Sequence, residues 1–241
     1  MPVGIIAGTA IYDIPSVDME ESKIDTPYGE ALILHGTGED SDLVFIPRHG
    51  PKHTIPPHNV NYRANLKALD ILGVRYVLAA YAVGSINREI PPLSLVAIDD
   101  FLDFTSGRES TFFDGTDDQV VHIDVSQPFC QELRVKLLDL AAEHNLAIVP
   151  KGTYVAANGP RLESPAEIRM FEKLGADVVG MTACPECILA KELEMCFAAV
   201  AFSVNWAAGI EEKIHFVEDG LNELTASLLA LFIKTLREVA A

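Results

Sequence analysis

The chain has 241 residues, 49% of them hydrophobic, enough to bury one sizeable core. With 18 Lys+Arg against 35 Asp+Glu the formal net charge is −17, which disfavours nucleic acid as a partner but does not exclude a small anion where cations are gathered locally. No apolar run reaches the roughly 18 residues a membrane span needs, the start MPVGIIAGTA lacks the features of a signal peptide, and four cysteines, Cys130, Cys184, Cys187 and Cys196, fit a reduced cytoplasmic protein better than a disulfide scaffold.

Short apolar strands alternate with amphipathic helices. In chain order the pattern predicts strands over 3–7, 31–35 and 43–47, a helix over 59–72, strands over 76–82 and 94–98, and a helix over 131–144. A strand over 153–157, a helix over 165–174, a strand over 177–180, a helix over 185–193, a strand over 197–204 and a final helix over 217–239 follow. The alternation argues for one α/β domain over 1–241 with a mixed, largely buried sheet. No linker, repeat or low-complexity tract divides it. Ligands in such folds collect beyond strand ends.

Four polar clusters fall at those ends. IIAGTA (5–10) carries Gly8 and Thr9, where a glycine admits close approach and the threonine offers a hydroxyl and an amide; taken alone it reads more readily as an ordinary tight turn. RHGPKHTIPPHNVNYRAN (48–65) gathers Arg48, Lys52, Arg63, His49, His53 and His58 without one acid. An arginine chelates phosphate oxygens and a neighbouring histidine adds a donor. No carboxylate or cysteine stands at ligand spacing, so a metal is not expected. Asn61, Arg63 and Asn65 look like groups that fix a loop or a subunit contact. The third cluster, AAYAVGSINREI (79–90), is an apolar strand ending in Gly84-Ser85, equally a turn or a site. The fourth spans 152–210, with Asn158-Gly159-Pro160, Glu163, the Cys184-Pro185-Glu186-Cys187 pair and Asn205. One CxxC without a second cysteine pair is no zinc site; redox use is an alternative to two cysteines packing a helix start.

Together, RHG with HTIPPHNVNYRAN, TYVAANGPRLESPAEIRMF and GADVVGMT resemble the methylthioadenosine phosphorylase branch of the trimeric purine nucleoside phosphorylases, and the match runs from IIAGTA to the final helix. The resemblance implies one α/β domain with a central mixed, partly barrel-like sheet flanked by helices, assembled as a homotrimer or a dimer of trimers. It implies attack of inorganic phosphate on C1′ of a purine nucleoside, with phosphate as co-substrate and neither metal nor organic cofactor. By position Thr9, Arg48, His49, Ala82 and Thr182 would hold phosphate. His53, Val83 and Gly84 would line the substrate, Met181 would pack under the ribose, and Leu162 would replace an aromatic on the base. His122 would reach the 5′ pocket of a neighbouring subunit.

The chain departs from the family at Ala7 and Ala10, where glycines are usual, and at Tyr81, where Thr or Asn is usual. At the base, Glu163 and Asn205-Trp206-Ala207 replace a small hydroxyl residue and an Asp-x-Asp. A Glu163 carboxylate accepts from the N1–H of a 6-oxopurine and repels adenine N1, and the Asn205 amide can satisfy O6 or N7. With His49, these are the expected catalytic groups. At the 5′ carbon, Val217 and Leu221 form the expected apolar patch, with His215 two residues upstream. S-Methyl-5′-thioinosine is therefore the expected substrate and inosine or guanosine the alternative. Methylthioadenosine cleavage, a non-catalytic nucleoside-binding protein and a CxxC redox protein are the rivals.

Overall fold

The computed structural model describes every residue except 12, 13, 15 and 117–119. Its elements are β1 (Val3–Ala7), β2 (Met19–Thr26), β3 (Gly29–Gly36), β4 (Leu43–Pro47), α1 (Tyr62–Ile71), β5 (Tyr76–Ser85), β6 (Leu95–Ala97) and β7 (Asp100–Asp103). Then come α2 (Gln131–Glu143), β8 (Ile148–Val149), β9 (Thr153–Ala156), α3 (Pro165–Lys173), β10 (Val178–Gly180), α4 (Ala183–Glu192), β11 (Cys196–Trp206) and α5 (Leu221–Ala240). All the strands join one mixed sheet flanked by helices.

β5 is the centre of that sheet, and there the sheet forks. On one edge its first half pairs in parallel with β1, from Gly4↔Val77 to Ile6↔Ala79. Its last residues pair antiparallel with β10, Val179↔Gly84 and Val178↔Ser85. Between Ala79 and Gly84 that edge has no ladder partner among the described residues. The other edge pairs with β11 throughout, with one register shift between Ser203 and Asn205.

Period-2 alternation divides the core between the two faces. Val77, Ala79, Tyr81 and Val83 pack with Leu66 and Leu69 of α1 and Leu189 of α4. Leu78 and Ala80 pack with Leu133 of α2 and Leu228 and Phe232 of α5. A strand buried on both faces reads as an unbroken apolar run, which is why β1, β4 and β5 are visible in the sequence.

Several expectations are corrected. β2 is an edge strand of alternating intermediate and exposed residues, MEESKIDT, with no apolar run to betray it. β7 and β8 are too short to show periodicity. The final helix starts at Leu221, not Val217, after Gly220 in the left-handed region at φ 82°. Cys130 and Cys196 form a disulfide joining the start of α2 to the start of β11, while Cys184 and Cys187 are free and buried. The cysteines therefore carry no argument for a reducing compartment. No helix among the described residues is long and apolar enough to cross a membrane.

Candidate functional site

The fork in the sheet opens into a cavity of about 420 Å³. β1 and β4 run parallel with Ala7 opposite Pro47, so the two strands deliver Gly8-Thr9 and Arg48-His49 to the same edge. The Arg48 amide donates to Ala7 O at 2.7 Å. A Cβ on Gly8 would lie 2.5 Å from His49 Cδ2 and 3.2 Å from Arg48 Nη1, so only glycine lets these side chains sit against the turn. Ala10 takes φ 65°, a left-handed conformation that costs a residue with a Cβ about 1–2 kcal/mol.

Arg48 is 2% exposed. Its Nε and Nη2 donate to the two oxygens of Glu186, each at 2.8 Å, and Nη1 donates to Ala80 O at 3.2 Å. Burial opposes its charge, but the Glu186 carboxylate outweighs that and holds the guanidinium above its ordinary range. His49 places Nδ1 2.7 Å from Ile55 O. A carbonyl only accepts, so Nδ1 carries the hydrogen and Nε2 of the neutral ring is an acceptor. Burial first, then Arg48, pushes the His49 pKa down to about 4. The His53 ring lies 5.0 Å from it. Thr182, before α4, donates its amide to the hydroxyl of the buried Tyr154 at 3.1 Å.

The opposite end of the cavity is built differently. The extra residue in β11 sets Asn205 opposite Gly84 and brings both Val204 and Asn205 to the cavity wall. Asn205 Nδ2 donates to Trp206 O at 2.7 Å, leaving a second N–H and the carbonyl oxygen of the amide. Glu163 also lines the cavity, its Oε1 is buried, and that oxygen has no partner among the described residues. Burial raises the Glu163 pKa.

Between the two ends, Met181 packs on Gly159, where a Cβ would run into its sulfur. Arg108, from the irregular segment after β7, donates to Met181 O and Cys184 O at 2.7 Å each and to Asn158 O at 2.9 Å. One guanidinium thus ties two walls of the cavity together.

Thr9, Arg48, His49, His53, Ala82, Val83, Gly84, Leu162, Glu163, Met181, Thr182, Asn205 and Ala207 all line this cavity. Trp206, Val217, Leu221 and His122 do not. Val217 donates its amide to Val204 O at 2.8 Å, and Val217 and Leu221 pack on the α2/α5 side of the core, because the segment before α5 is a loop rather than a first helical turn. Ile214 and Phe216 line the cavity instead, and the intervening His215 does not. That i, i+2 alternation was the available signal. His122 is exposed in the segment before α2. Asn61 caps α1 and reaches Tyr28 O, and Arg63 pairs with Glu109 and Asp114, so both fix loops. Tyr81 is buried beside the cavity with its hydroxyl on Glu186. Glu186 sits inside the CPEC motif, where the two cysteines are the more conspicuous signal.

The cavity at the forked α/β sheet thus carries a buried arginine at one end and, at the other, an amide and a carboxylate oxygen without a partner among the described residues. Residues 2–234 match the phosphorylase superfamily, and the chain belongs to that family. It is 47% identical over 216 residues to the 6-oxopurine nucleoside phosphorylase of Pyrococcus furiosus, covering 88% of this chain and 82% of that one. It is 46% identical over 236 residues to a probable S-methyl-5′-thioinosine phosphorylase of Methanothermobacter thermautotrophicus, covering 92% and 80%. Among solved structures, methylthioadenosine phosphorylase from Schistosoma mansoni in complex with tubercidin superposes with a TM-score of 0.92 at 28% identity, covering 100% of this chain and 92% of that one.

Proposed function

We propose that this protein cleaves 6-oxopurine nucleosides by phosphorolysis, with S-methyl-5′-thioinosine as preferred substrate. Phosphate attacks C1′ as the bond to N9 breaks, giving hypoxanthine and 5-methylthioribose 1-phosphate. The observation that carries the choice of base is the buried Glu163 Oε1, which has no partner among the described residues. A buried acceptor without a donor is costly, and the N1–H of a 6-oxopurine supplies one where adenine presents a second acceptor.

Phosphate is already a nucleophile, so the site needs no serine or cysteine attack. The transition state places positive charge on the ribose and negative charge on the departing purine. Arg48, Thr9, Thr182 and the backbone at Ala82 hold the anion beside the ribose. His49 Nε2 accepts from the P–OH of monohydrogen phosphate. Asn205 and Glu163 meet the purine edge. Phosphate is the co-substrate, and no step as proposed calls on a metal or organic cofactor.

Ile214 and Phe216 make the 5′ contact apolar. Burying a methylthio group there is worth about 1–2 kcal/mol, and an unpaired buried hydroxyl costs a similar amount. Inosine or guanosine is the second reading, favoured by the 6-oxopurine relative of Pyrococcus furiosus. We further propose a homotrimer in which the segment carrying exposed Val120, Val121 and His122 meets a neighbouring subunit's 5′ pocket. Methylthioinosine, inosine, guanosine and methylthioadenosine, each with and without phosphate, test the substrate; light scattering tests the assembly. Faster cleavage of methylthioadenosine than of methylthioinosine would sink the reading of the base end, and an active monomer would sink the trimer.

A further inference from the structure

We propose that Glu186 and Tyr81 are positioning residues for Arg48, holding its guanidinium in one orientation so that an Nη1 N–H is presented to phosphate. The inference rests on the reading of Arg48 as a phosphate ligand.

Glu186 is fully buried in α4, and Arg48 follows β4, so the pair joins two elements 138 residues apart beneath the cavity. The carboxylate receives three donors: Arg48 Nε and Nη2 at 2.8 Å each, and the Tyr81 hydroxyl at 2.7 Å. The Tyr81 ring also lies under the guanidinium, 4.6 Å from its carbon to the ring centroid. A guanidinium has five N–H donors. Two meet Glu186, one on Nη1 meets Ala80 O at 3.2 Å, and Nη2 points its other towards Ile6 O at 3.5 Å. Among the described residues that leaves one N–H on Nη1, the guanidinium atom that lies 3.2 Å from where a Cβ on Gly8 would sit, at the cavity edge.

Three arguments favour positioning over plain fold stability. An arginine this buried needs a counter-charge before phosphate arrives, and a bidentate carboxylate supplies charge and direction together. A long side chain fixed beforehand loses little freedom when the anion binds. The pair is also neutral overall, so phosphate meets an oriented donor rather than an unpaired cation. Tyr81, which departs from the family's Thr or Asn, thus keeps a hydroxyl at this end but gives it to the counter-ion of the ligand. The Tyr81 ring lies 5.5 Å from that of Tyr154, whose hydroxyl holds the Thr182 amide, so one aromatic pair underlies both sides of the anion site.

The test measures phosphate binding by calorimetry and both Michaelis constants in wild type, Tyr81→Phe and Glu186→Asp. Tyr81→Phe keeps the ring and removes one donor; the phosphate Kd and KM should rise about three- to tenfold. Glu186→Asp keeps the charge and shortens the reach; the rise should be tenfold or more. The nucleoside KM should stay unchanged in both. If Glu186→Asp fails to fold, Tyr81→Phe alone decides. Phosphate binding like wild type, or an equal rise in the nucleoside KM, overturns the positioning role and leaves the proposed reaction standing. Wild-type protein that binds phosphate but cleaves no purine nucleoside overturns the reaction and leaves the positioning role. Wild-type protein that binds no phosphate overturns both.

Discussion

Replacing Glu163 with glutamine isolates the contact on which the choice of base depends. The two side chains have nearly the same shape, so the cavity should keep its form. What changes is that an acceptor-only carboxylate becomes an amide that can turn either edge to the base. Glu163 Oε1 is buried without a partner among the described residues, so a substrate N1–H gains a hydrogen bond to a charged group, worth about 1.5–3 kcal/mol. The glutamine carbonyl still accepts that N1–H as a neutral group, worth about 0.5–1.5 kcal/mol, so at roughly 1.4 kcal/mol per tenfold Glu163→Gln should lower kcat/KM for methylthioinosine about five- to tenfold. For methylthioadenosine the amide N–H can donate to N1, so its kcat/KM should rise or hold. The assay is the ratio of the two values at saturating phosphate. An unchanged ratio would refute the assignment.

The same residue predicts a pH dependence. Burial raises the Glu163 pKa, so the folded protein favours the neutral acid more than the unfolded chain does. Its contribution to stability is therefore present below the ordinary carboxylate range and fades as pH rises through the raised value. Discrimination runs the other way, because only the ionised form is a pure acceptor. As pH falls through the raised value, preference for 6-oxo over 6-amino substrate should weaken, and it should do so at a higher pH than an exposed glutamate would give. In Glu163→Gln that inflection should vanish.

Three further outcomes follow from the geometry. Gly8→Ala places a Cβ 2.5 Å from His49 Cδ2, so the ring must move and the phosphate KM should rise more than about tenfold with little change in nucleoside affinity; an unaltered phosphate KM would contradict the packing. Phe216→Ser should lower the methylthioinosine-to-inosine ratio about tenfold, whereas Val217→Ala should lower only the melting temperature. Arg108→Met removes three short bonds to the Met181, Cys184 and Asn158 carbonyls, so the nucleoside KM should rise while the calorimetric phosphate Kd holds; a rise in the phosphate Kd alone would reverse that assignment.

What the sequence reveals depends on whether the reason for a residue is local. The strands β1 and β4 emerge with their observed bounds because burial on both faces leaves an unbroken apolar run. α3 emerges because its capping box, Ser164 with Glu167, and its Pro165 are all local signals. β2 does not, since an edge strand facing solvent has no pattern to show. The loop before α5 is misread because the apolar spacing of 217–239 runs on past Gly220, whose left-handed backbone breaks the helix. Among candidate site residues, those that follow a strand or sit in the 48–65 and 158–163 motifs are found, while Glu186, Arg108, Ile214 and Phe216 are not. Glu186 and Arg108 act across long separations on groups that have no pattern in common with them.

The fork at β5 explains why the two ends of the cavity differ in how far the sequence exposes them. Arg48, His49, Gly8 and Thr9 follow two adjacent parallel strands, so the polar residues after each strand converge by register alone. That convergence is readable once the strands are. The base end has no such rule. Asn205 reaches Gly84 only because β11 carries one extra residue, and Glu163 arrives from the turn before α3. The anion end is thus set by the sheet, while the base end is set by a bulge and a loop. Changes in purine preference can therefore arise at Glu163 and Asn205 without disturbing the phosphate end, because no hydrogen bond or ion pair between described residues joins either side chain to Arg48, Glu186 or Tyr81.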